Sequence, residues 1–238
     1  TLNNPLRYTD ENGKWPTETH NKILAKALNL INQDTIERIQ RGSRKVDRDG
    51  LNPKTMWEKN APQHAMTPGK WVKEMGLEAA QTKARQVAVG FIDQNLADAK
   101  ELFQKAQRAT NPYFDKRETT LKALELFGAA MHPIMDNGSP AHRGFQVYDN
   151  VSTAQTGAAI SANPIAGAVA TVVVDLLQHK ETESREPTDD EMNSMVDEIR
   201  MRYRETFGEE AYSTAVSQDE RERTEGRLAK RGTEGMLR

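Results

Sequence analysis

Cysteine is absent from the 238-residue sequence, which excludes disulfide bonds and metal sites built from thiolates. The sequence also has no large excess of either charge. It contains 33 Lys and Arg and 35 Asp and Glu, which gives a formal net charge of −2. A nucleic-acid-binding domain usually shows a basic balance, so the net charge gives no such signal. The start of the sequence also lacks the regions of a secretory signal peptide, so any export would depend on something outside this chain.

Strand-like alternation of apolar and polar residues is missing as well, and helical periodicity takes its place. We therefore predict an all-α fold. The hydrophobic share is only 36% and the charged share is 29%, so part of the chain is expected to lie outside the core. We predict a lead-in over residues 1–14, one domain over residues 15–216 and a charged C-terminal tail or helix over residues 217–238.

The first helix is predicted from the apolar residues that follow Thr19 at helical spacing. Thr19 is a residue type that caps helices, which would place His20 in the first turn. Residues 40–68 contain several Gly and Pro breaks and are expected to be irregular. This stretch carries Asp47, Asp49 and His64, which we expect on loops or short helical turns.

Residues 69 to about 110 are predicted to form one long helix, because apolar residues recur through them at helical spacing. Another helix follows, is expected to be kinked or loosened at Pro133, and ends at the Asn-Gly-Ser-Pro run from Asn137. A further amphipathic helix is predicted from five apolar residues with helical spacing, which are Met192, Met195, Ile199, Tyr203 and Phe207.

Residues 156–177 are almost uncharged and approach the length of a membrane span. Pro164 and Asp175 argue against a spanning helix. We favour a core helix that carries His179 and Glu183 at its end, and the alternative is an apolar element that leans on a lipid surface.

Histidines at metal-ligand spacing are the clearest chemical signal in this sequence. The run His132-Pro-Ile-Met-Asp136-Asn-Gly-Ser-Pro-Ala-His142 contains the densest group, and His179 and Glu183 repeat the four-residue spacing. Residues four apart share one helix face, so each pair can converge on one ion. Imidazole and carboxylate without cysteine form the ligand set of a catalytic zinc site rather than a structural one. The two remaining histidines lie upstream, at His20 and His64.

These residues resemble the zinc-dependent phospholipase C and P1/S1 nuclease superfamily. The segment LKALELFGAAMHPIMDNGSPAHRGFQ is similar to its central signature, in which the residues matching His132, Asp136 and His142 bind zinc. The downstream pair of the family matches His179 and Glu183. The upstream ligands match Trp15, His20, Asp49 and His64, with Asp47 a competing choice for the carboxylate.

The resemblance implies two or three zinc ions, with Asp136 as a bridging and catalytic carboxylate and Asp49 as a ligand or general base. In the family the tryptophan is the mature N-terminus, and its amino group and carbonyl complete one zinc site. Trp15 is internal in this sequence. Either the chain is cut before Trp15, or the site that includes His20 is incomplete or built differently.

The lead-in NNPLRYTDENGK resembles the closing motif of the core of RHS/YD-repeat proteins, although Glu11 replaces the proline of that motif. In those proteins a variable toxin domain follows the motif. The resemblance implies an RHS-type carrier, delivery into a target cell or secretion, and a cognate immunity protein as partner.

Three functions remain open from the sequence. The first is a phospholipase C toxin acting on phospholipid at a membrane surface, favoured by Glu183 and by the apolar residues 156–177. The second is a P1/S1-like nuclease, which would need aromatic platforms for nucleic-acid bases. The candidates for such platforms are Tyr113, Phe114, Phe145 and Tyr148. The third is a zinc-stabilised interaction module without turnover, although structural zinc sites of that kind usually contain cysteine.

Overall fold

The computed structural model describes residues 17–50, 60–109, 115–139, 142–148 and 186–231. Within these ranges the chain is predominantly helical, which confirms the predicted all-α class. The eight α-helices of the described residues are α1 (Thr17–Ala27), α2 (Gln33–Gly50), α3 (Gly69–Met75), α4 (Leu77–Arg108), α5 (Asp115–Gly138), α6 (Asp189–Phe207), α7 (Glu209–Ala215) and α8 (Gln218–Arg231). A short 3₁₀ helix spans Ala61–His64.

The extended structure in these ranges consists of two strands of two residues each. β1 (Thr67–Pro68) pairs in parallel with β2 (Val147–Tyr148), with Thr67 opposite Val147. The Thr67 hydroxyl also donates a hydrogen bond of 2.6 Å to the carbonyl of Phe145. This small contact holds the chain after His64 beside the chain after His142.

Helix α5 lies at the centre of the fold and packs against α2, α4 and α6. Phe127, Met131 and Met135 on its inner face are fully buried. Aromatic rings of α4, α5 and α6 meet edge to face or tilted, as in the Phe127–Tyr203 pair with ring centroids 5.3 Å apart. Burial among these groups raises the pKa of the Tyr203 phenol to about 12. Phe145 and Trp71 belong to a second, smaller core cluster with three alanines of α4.

Helix α6 forms where the spacing of its apolar residues predicts an amphipathic helix. Thr188 caps it, since the Thr188 hydroxyl accepts from the Glu191 amide at 3.3 Å and the Glu191 carboxylate accepts from the Thr188 amide at 2.9 Å. Met195, Ile199 and Phe207 are buried in the core. The charged residues that follow form helix α8, one of the two forms expected for them.

Three predicted boundaries were wrong. Helix α1 begins at Thr17, two residues before the predicted cap. Residues 40–50 are not irregular, because helix α2 continues through them to Gly50. The long helix is in fact two helices that meet at Gly76, whose φ of +81° lies in the left-handed region that favours glycine.

Some predictions concern residues outside the described ranges, among them the lead-in 1–14 and the apolar residues 156–177. Among the helices that are described, none has both the length and the apolar character needed to span a membrane. Helix α5 contains Pro133 and runs on to Gly138, where the Asn-Gly-Ser-Pro run was expected to end it.

Helices α2 and α5 cross with their backbones in contact. A Cβ atom added to Gly42 would lie 1.9 Å from the carbonyl oxygen of Glu125, and one added to Gly128 would lie 1.9 Å from that of Ile39. The two glycines therefore permit an approach that no other residue allows at these positions.

A buried guanidinium fastens α8 and the end of α1 to α6. Arg200 is 1% exposed, and its nitrogens donate to the carbonyls of Ala27 at 2.9 Å and Lys26 at 3.1 Å. Its Nη1 also donates to the carboxylate of Glu220 at 2.8 Å and to the hydroxyl of Thr224 at 3.0 Å. The buried charge is thus paired and hydrogen-bonded, as its desolvation requires.

We expect Gly42→Ala and Gly128→Ala each to lower the free energy of unfolding by about 1–3 kcal/mol or more, because a methyl group would force the helices apart. The matched control is Gly90→Ala in α4, where nothing lies within 4 Å of the added carbon. That change should stabilise the protein by roughly 0.5–1 kcal/mol. Denaturant unfolding measures all three, and a neutral result at both Gly42 and Gly128 would contradict the close crossing.

Arg200→Met should destabilise the protein by roughly 1–3 kcal/mol, because it leaves Glu220 and the carbonyls of Lys26 and Ala27 without their donor. Arg204→Met in the same helix is the control, since Arg204 is 48% exposed and its ion pairs face solvent. That change should cost less than about 1 kcal/mol. Equal effects of the two substitutions in denaturant unfolding would rule out the special role of Arg200.

Candidate metal centre

Five side chains from four separate elements converge beside the α2–α5 crossing. They are His20 of α1, Asp47 of α2, His64 of the 3₁₀ helix, and His132 and Asp136 of α5. The three histidines and Asp136 are each at most 2% exposed, whereas Asp47 is 21% exposed. Such deep burial of imidazole and carboxylate groups requires that each be compensated by a partner or an ion.

One oxygen of Asp136 forms a triangle with two imidazole nitrogens. Oδ2 lies 3.1 Å from Nε2 of His132 and 3.2 Å from Nδ1 of His64, and these two nitrogens are 2.9 Å apart. Ligands that sit about 2.0–2.1 Å from a tetrahedral zinc ion are about 3.3 Å from one another. The triangle therefore has nearly the size of one face of a zinc site.

The other oxygen of Asp136 points to a different histidine. Oδ1 is 3.0 Å from Nε2 of His20, yet the two atoms are not aligned as a hydrogen bond. Among the described residues, neither ring nitrogen of His20 nor Oδ1 of Asp136 has a hydrogen-bond partner. A bound cation between Nε2 of His20 and Oδ1 of Asp136 would satisfy these two buried atoms.

Asp47 brings a second carboxylate to the cluster. Its Oδ1 lies 3.5 Å from Nε2 of His132, and ligand atoms of His20, Asp47 and His132 all lie within 4.8 Å of one another. Asp47 was the competing choice for the upstream carboxylate, and its position in the last turns of α2 explains how it reaches the site. The side chain of Asp49 lies outside the described residues.

Hydrogen bonds to groups outside the cluster orient the ring of His132 and the ring of the neighbouring His142. Nδ1 of His132 lies 3.1 Å from the hydroxyl of Ser43, so the ring can present Nε2 to an ion. Nδ1 of His142 lies 2.8 Å from the backbone carbonyl of His64. A carbonyl only accepts, so this nitrogen carries a proton.

Charge favours an ionised Asp136. Burial alone raises the pKa of this carboxyl, but attraction to His132 and contacts with His132, His20 and His64 lower it by more. The net pKa lies well below its usual range. Asp136 is therefore a carboxylate at neutral pH and can act only as an acceptor or a metal ligand.

The remaining sequence-predicted ligands divide into two groups. His142 is fully buried next to His64, but neither of the two convergent groups of ligand atoms includes it. Trp15, His179 and Glu183 lie outside the described residues, as do the side chains of Tyr113, Phe114 and Tyr148. The prediction of Phe145 as a stacking platform was wrong, because this residue is 1% exposed and belongs to the smaller core cluster.

Sequence reasoning missed Ser43 because it missed the helix that carries it. The signal is the spacing of Ile36, Ile39 and Val46, which are buried on the inner side of α2. Gly42 and Ser43 fall on the same side at helical spacing, and Asp47 follows one turn later. The Gly and Arg residues between them obscured this pattern.

A scan against protein-family models finds no match for this chain, and searches of curated proteins and of solved structures find no significant match. The function has to be inferred from the chemistry of the site.

We expect zinc to bind and to raise the thermal midpoint, because it binds the native cluster in preference to the unfolded chain. At a zinc concentration of a hundred times the dissociation constant, the gain is about 2.7 kcal/mol. Asp136→Asn should remove most of this gain, whereas Asp93→Asn on the exposed face of α4 should keep it. Thermal melts and equilibrium dialysis measure both. An unchanged midpoint on adding zinc to protein shown to be metal-free would contradict the site.

Proposed function

We propose that the chain is a zinc-dependent phosphodiester hydrolase, with a phospholipase C acting on membrane phospholipids as the first candidate. The observation that supports the proposal most is that the two carboxylate oxygens of Asp136 face different imidazoles in a buried site. One carboxylate between two cation positions is suited to a two-metal centre, and such centres are common in phosphatases and nucleases.

The ligand chemistry supports zinc. Imidazole nitrogen suits zinc and other transition metals, while magnesium and calcium prefer sites made of oxygen alone. Three histidines and two carboxylates, with no cysteine in the sequence, correspond to catalytic rather than structural zinc sites. This argues against the alternative of a zinc-stabilised interaction module.

In the proposed hydrolysis, the residues of the cluster have separate roles. His64, His132 and Oδ2 of Asp136 would hold one ion, and His20 with Oδ1 of Asp136 would hold part of a second. When bound, zinc supplies Lewis acidity that offsets phosphate charge and lowers the pKa of water. Asp47 stands at the solvent side of the cluster, where its carboxylate can accept the proton of an attacking water.

The resemblance to phospholipase C and P1/S1 nucleases gives the two substrate classes. Burial of Phe145 removes one of the aromatic platforms that a nuclease would need, which favours phospholipid. On the resemblance of residues 1–14 to an RHS core, we further propose a toxin domain that acts after secretion or delivery and is held in check by an immunity protein.

The test is hydrolysis by purified protein, stripped with chelator and reloaded with zinc. Its substrates are bis(p-nitrophenyl) phosphate, phosphatidylcholine and single-stranded DNA. Asp136→Asn should lower kcat/KM on the order of 10³-fold, because a bridging carboxylate loses charge toward two ions at once. His20→Ala should leave a measurable remnant, and Asp93→Asn should act like the unchanged protein.

Two outcomes would contradict the proposal. Equal residual activities of Asp136→Asn and His20→Ala would mean that Asp136 does not bridge. No turnover of any of the three substrates by a folded, zinc-loaded protein would leave the interaction module as the better assignment.

A further inference from the structure

A groove of about 540 Å³ opens between helices α2 and α5 next to the metal centre. Its charged lining consists of Arg41, Arg44, Lys45, Asp47, Lys122 and Glu125. Asp47 belongs both to this lining and to the metal-binding cluster, where its carboxylate lies 3.5 Å from Nε2 of His132. Asp47 is also the member of the cluster that faces solvent, at 21% exposure against 0–2% for the three histidines and Asp136. Among the residues that the structure describes, this groove is therefore a route from solvent to the candidate metal centre.

The groove carries an excess of positive charge. Four cationic side chains face two carboxylates, and Glu125 already pairs with Arg38 at 3.0 Å and with Arg41 at 3.7 Å. Lys45 and Lys122 are exposed, and neither has an acidic partner among the described residues. In a chain with a formal net charge of −2, this is a local reversal of sign. A charged concave surface of this kind concentrates ligands of opposite charge.

The positive surface extends beyond the groove. An adjoining depression of about 320 Å³ shares Arg41 and Arg44 and adds Arg38 and Arg117, against Asp34 and Glu37. From Arg38 to Asp47 helix α2 advances about 14 Å. Clusters of Lys and Arg over such a distance attract the surface of a membrane that contains anionic lipid.

A nucleic acid would present negative charge too, but its bases need aromatic partners. Neither depression is lined by an aromatic residue among those the structure describes. Phe145, the described candidate for base stacking, is buried in the core. Charge without stacking surfaces suits a phosphate-containing lipid headgroup better than a single strand.

We propose that the Arg41–Arg44–Lys45–Lys122 groove is a specificity site that selects phospholipids with a net negative headgroup over zwitterionic phosphatidylcholine. The proposal rests on the hydrolase function proposed above and adds the charge class of its substrate. The headgroup would lie in the groove against Lys45 and Lys122, with the scissile phosphate beyond Asp47 at the centre.

The test compares the unchanged protein with a Lys45→Gln, Lys122→Gln double variant. The control is Lys100→Gln, Lys105→Gln, which removes two exposed lysines of α4 outside the groove. For each zinc-loaded protein, kcat/KM is measured on water-soluble short-chain phosphatidylglycerol and phosphatidylcholine. The unchanged protein and the control should prefer phosphatidylglycerol, and the groove variant should lose roughly tenfold or more of that preference. Equal thermal midpoints verify that both variants fold.

A second measurement does not depend on turnover. With chelator present, each protein is co-sedimented with vesicles of phosphatidylcholine alone and of phosphatidylcholine mixed with phosphatidylglycerol. The unchanged protein should bind the mixed vesicles, and the groove variant should bind them roughly tenfold more weakly than the control does.

The outcomes separate this inference from the function on which it rests. Hydrolysis of bis(p-nitrophenyl) phosphate by the unchanged protein, together with equal headgroup preferences in the two double variants, would overturn the groove and leave the hydrolase standing. Absence of turnover of all three substrates of the hydrolysis test and of the short-chain lipids, in a folded and zinc-loaded protein, would overturn the proposed function and the specificity site with it. A selective loss of single-stranded DNA cleavage in the groove variant, with no change in headgroup preference, would assign the groove to nucleic acid and overturn the lipid proposal.

Discussion

The backbone contact between α2 and α5 is the constraint on which the site depends. Gly42 and Gly128 let the two helices meet without intervening side chains. The approach places Ser43 within 3.1 Å of Nδ1 of His132 and brings Asp47 to the other nitrogen of the same ring. A side chain at either glycine would separate the helices by a few ångströms, and a metal site tolerates far less than that. The packing of two helices therefore sets the geometry of the centre.

The fold handles its buried charges in two different ways. Arg200 is satisfied within the protein, by backbone carbonyls, a carboxylate and a hydroxyl, and it serves to join α1, α6 and α8. Asp136 and His20 are as deeply buried, yet His20 finds no hydrogen bond among the described residues. Native proteins seldom leave such groups uncompensated. Arg200 therefore has the surroundings of a structural ion pair, whereas Asp136 and His20 have those of a candidate ligand-binding site. It is the physical basis for the proposal of metal-dependent hydrolysis.

Asp47 belongs both to the candidate metal centre and to the basic groove. The same carboxylate approaches His132 inside the cluster and lines the basic groove outside it. Under the proposed function, a phosphodiester that approached the centre along this groove would pass the cations of α2 and α5. The sequence-wide charge of −2 concealed this feature, because charges that cancel over the whole chain are separated in space.

The sequence by itself determined the helical class and the pairing of His132 with Asp136, because both depend on local periodicity along one helix. It also predicted α6, whose apolar face is a local signal. It did not predict α2, since Gly42 and Ser43 on the inner face of that helix carry no hydrophobic signal and interrupt the spacing of its buried apolar residues. Which carboxylate joins the centre, which ring nitrogen is oriented by Ser43 or by the His64 carbonyl, and which residues form the basic groove were decided by tertiary structure alone. Each of these depends on contacts between residues that are tens of positions apart in the chain, and such contacts form only when helices pack.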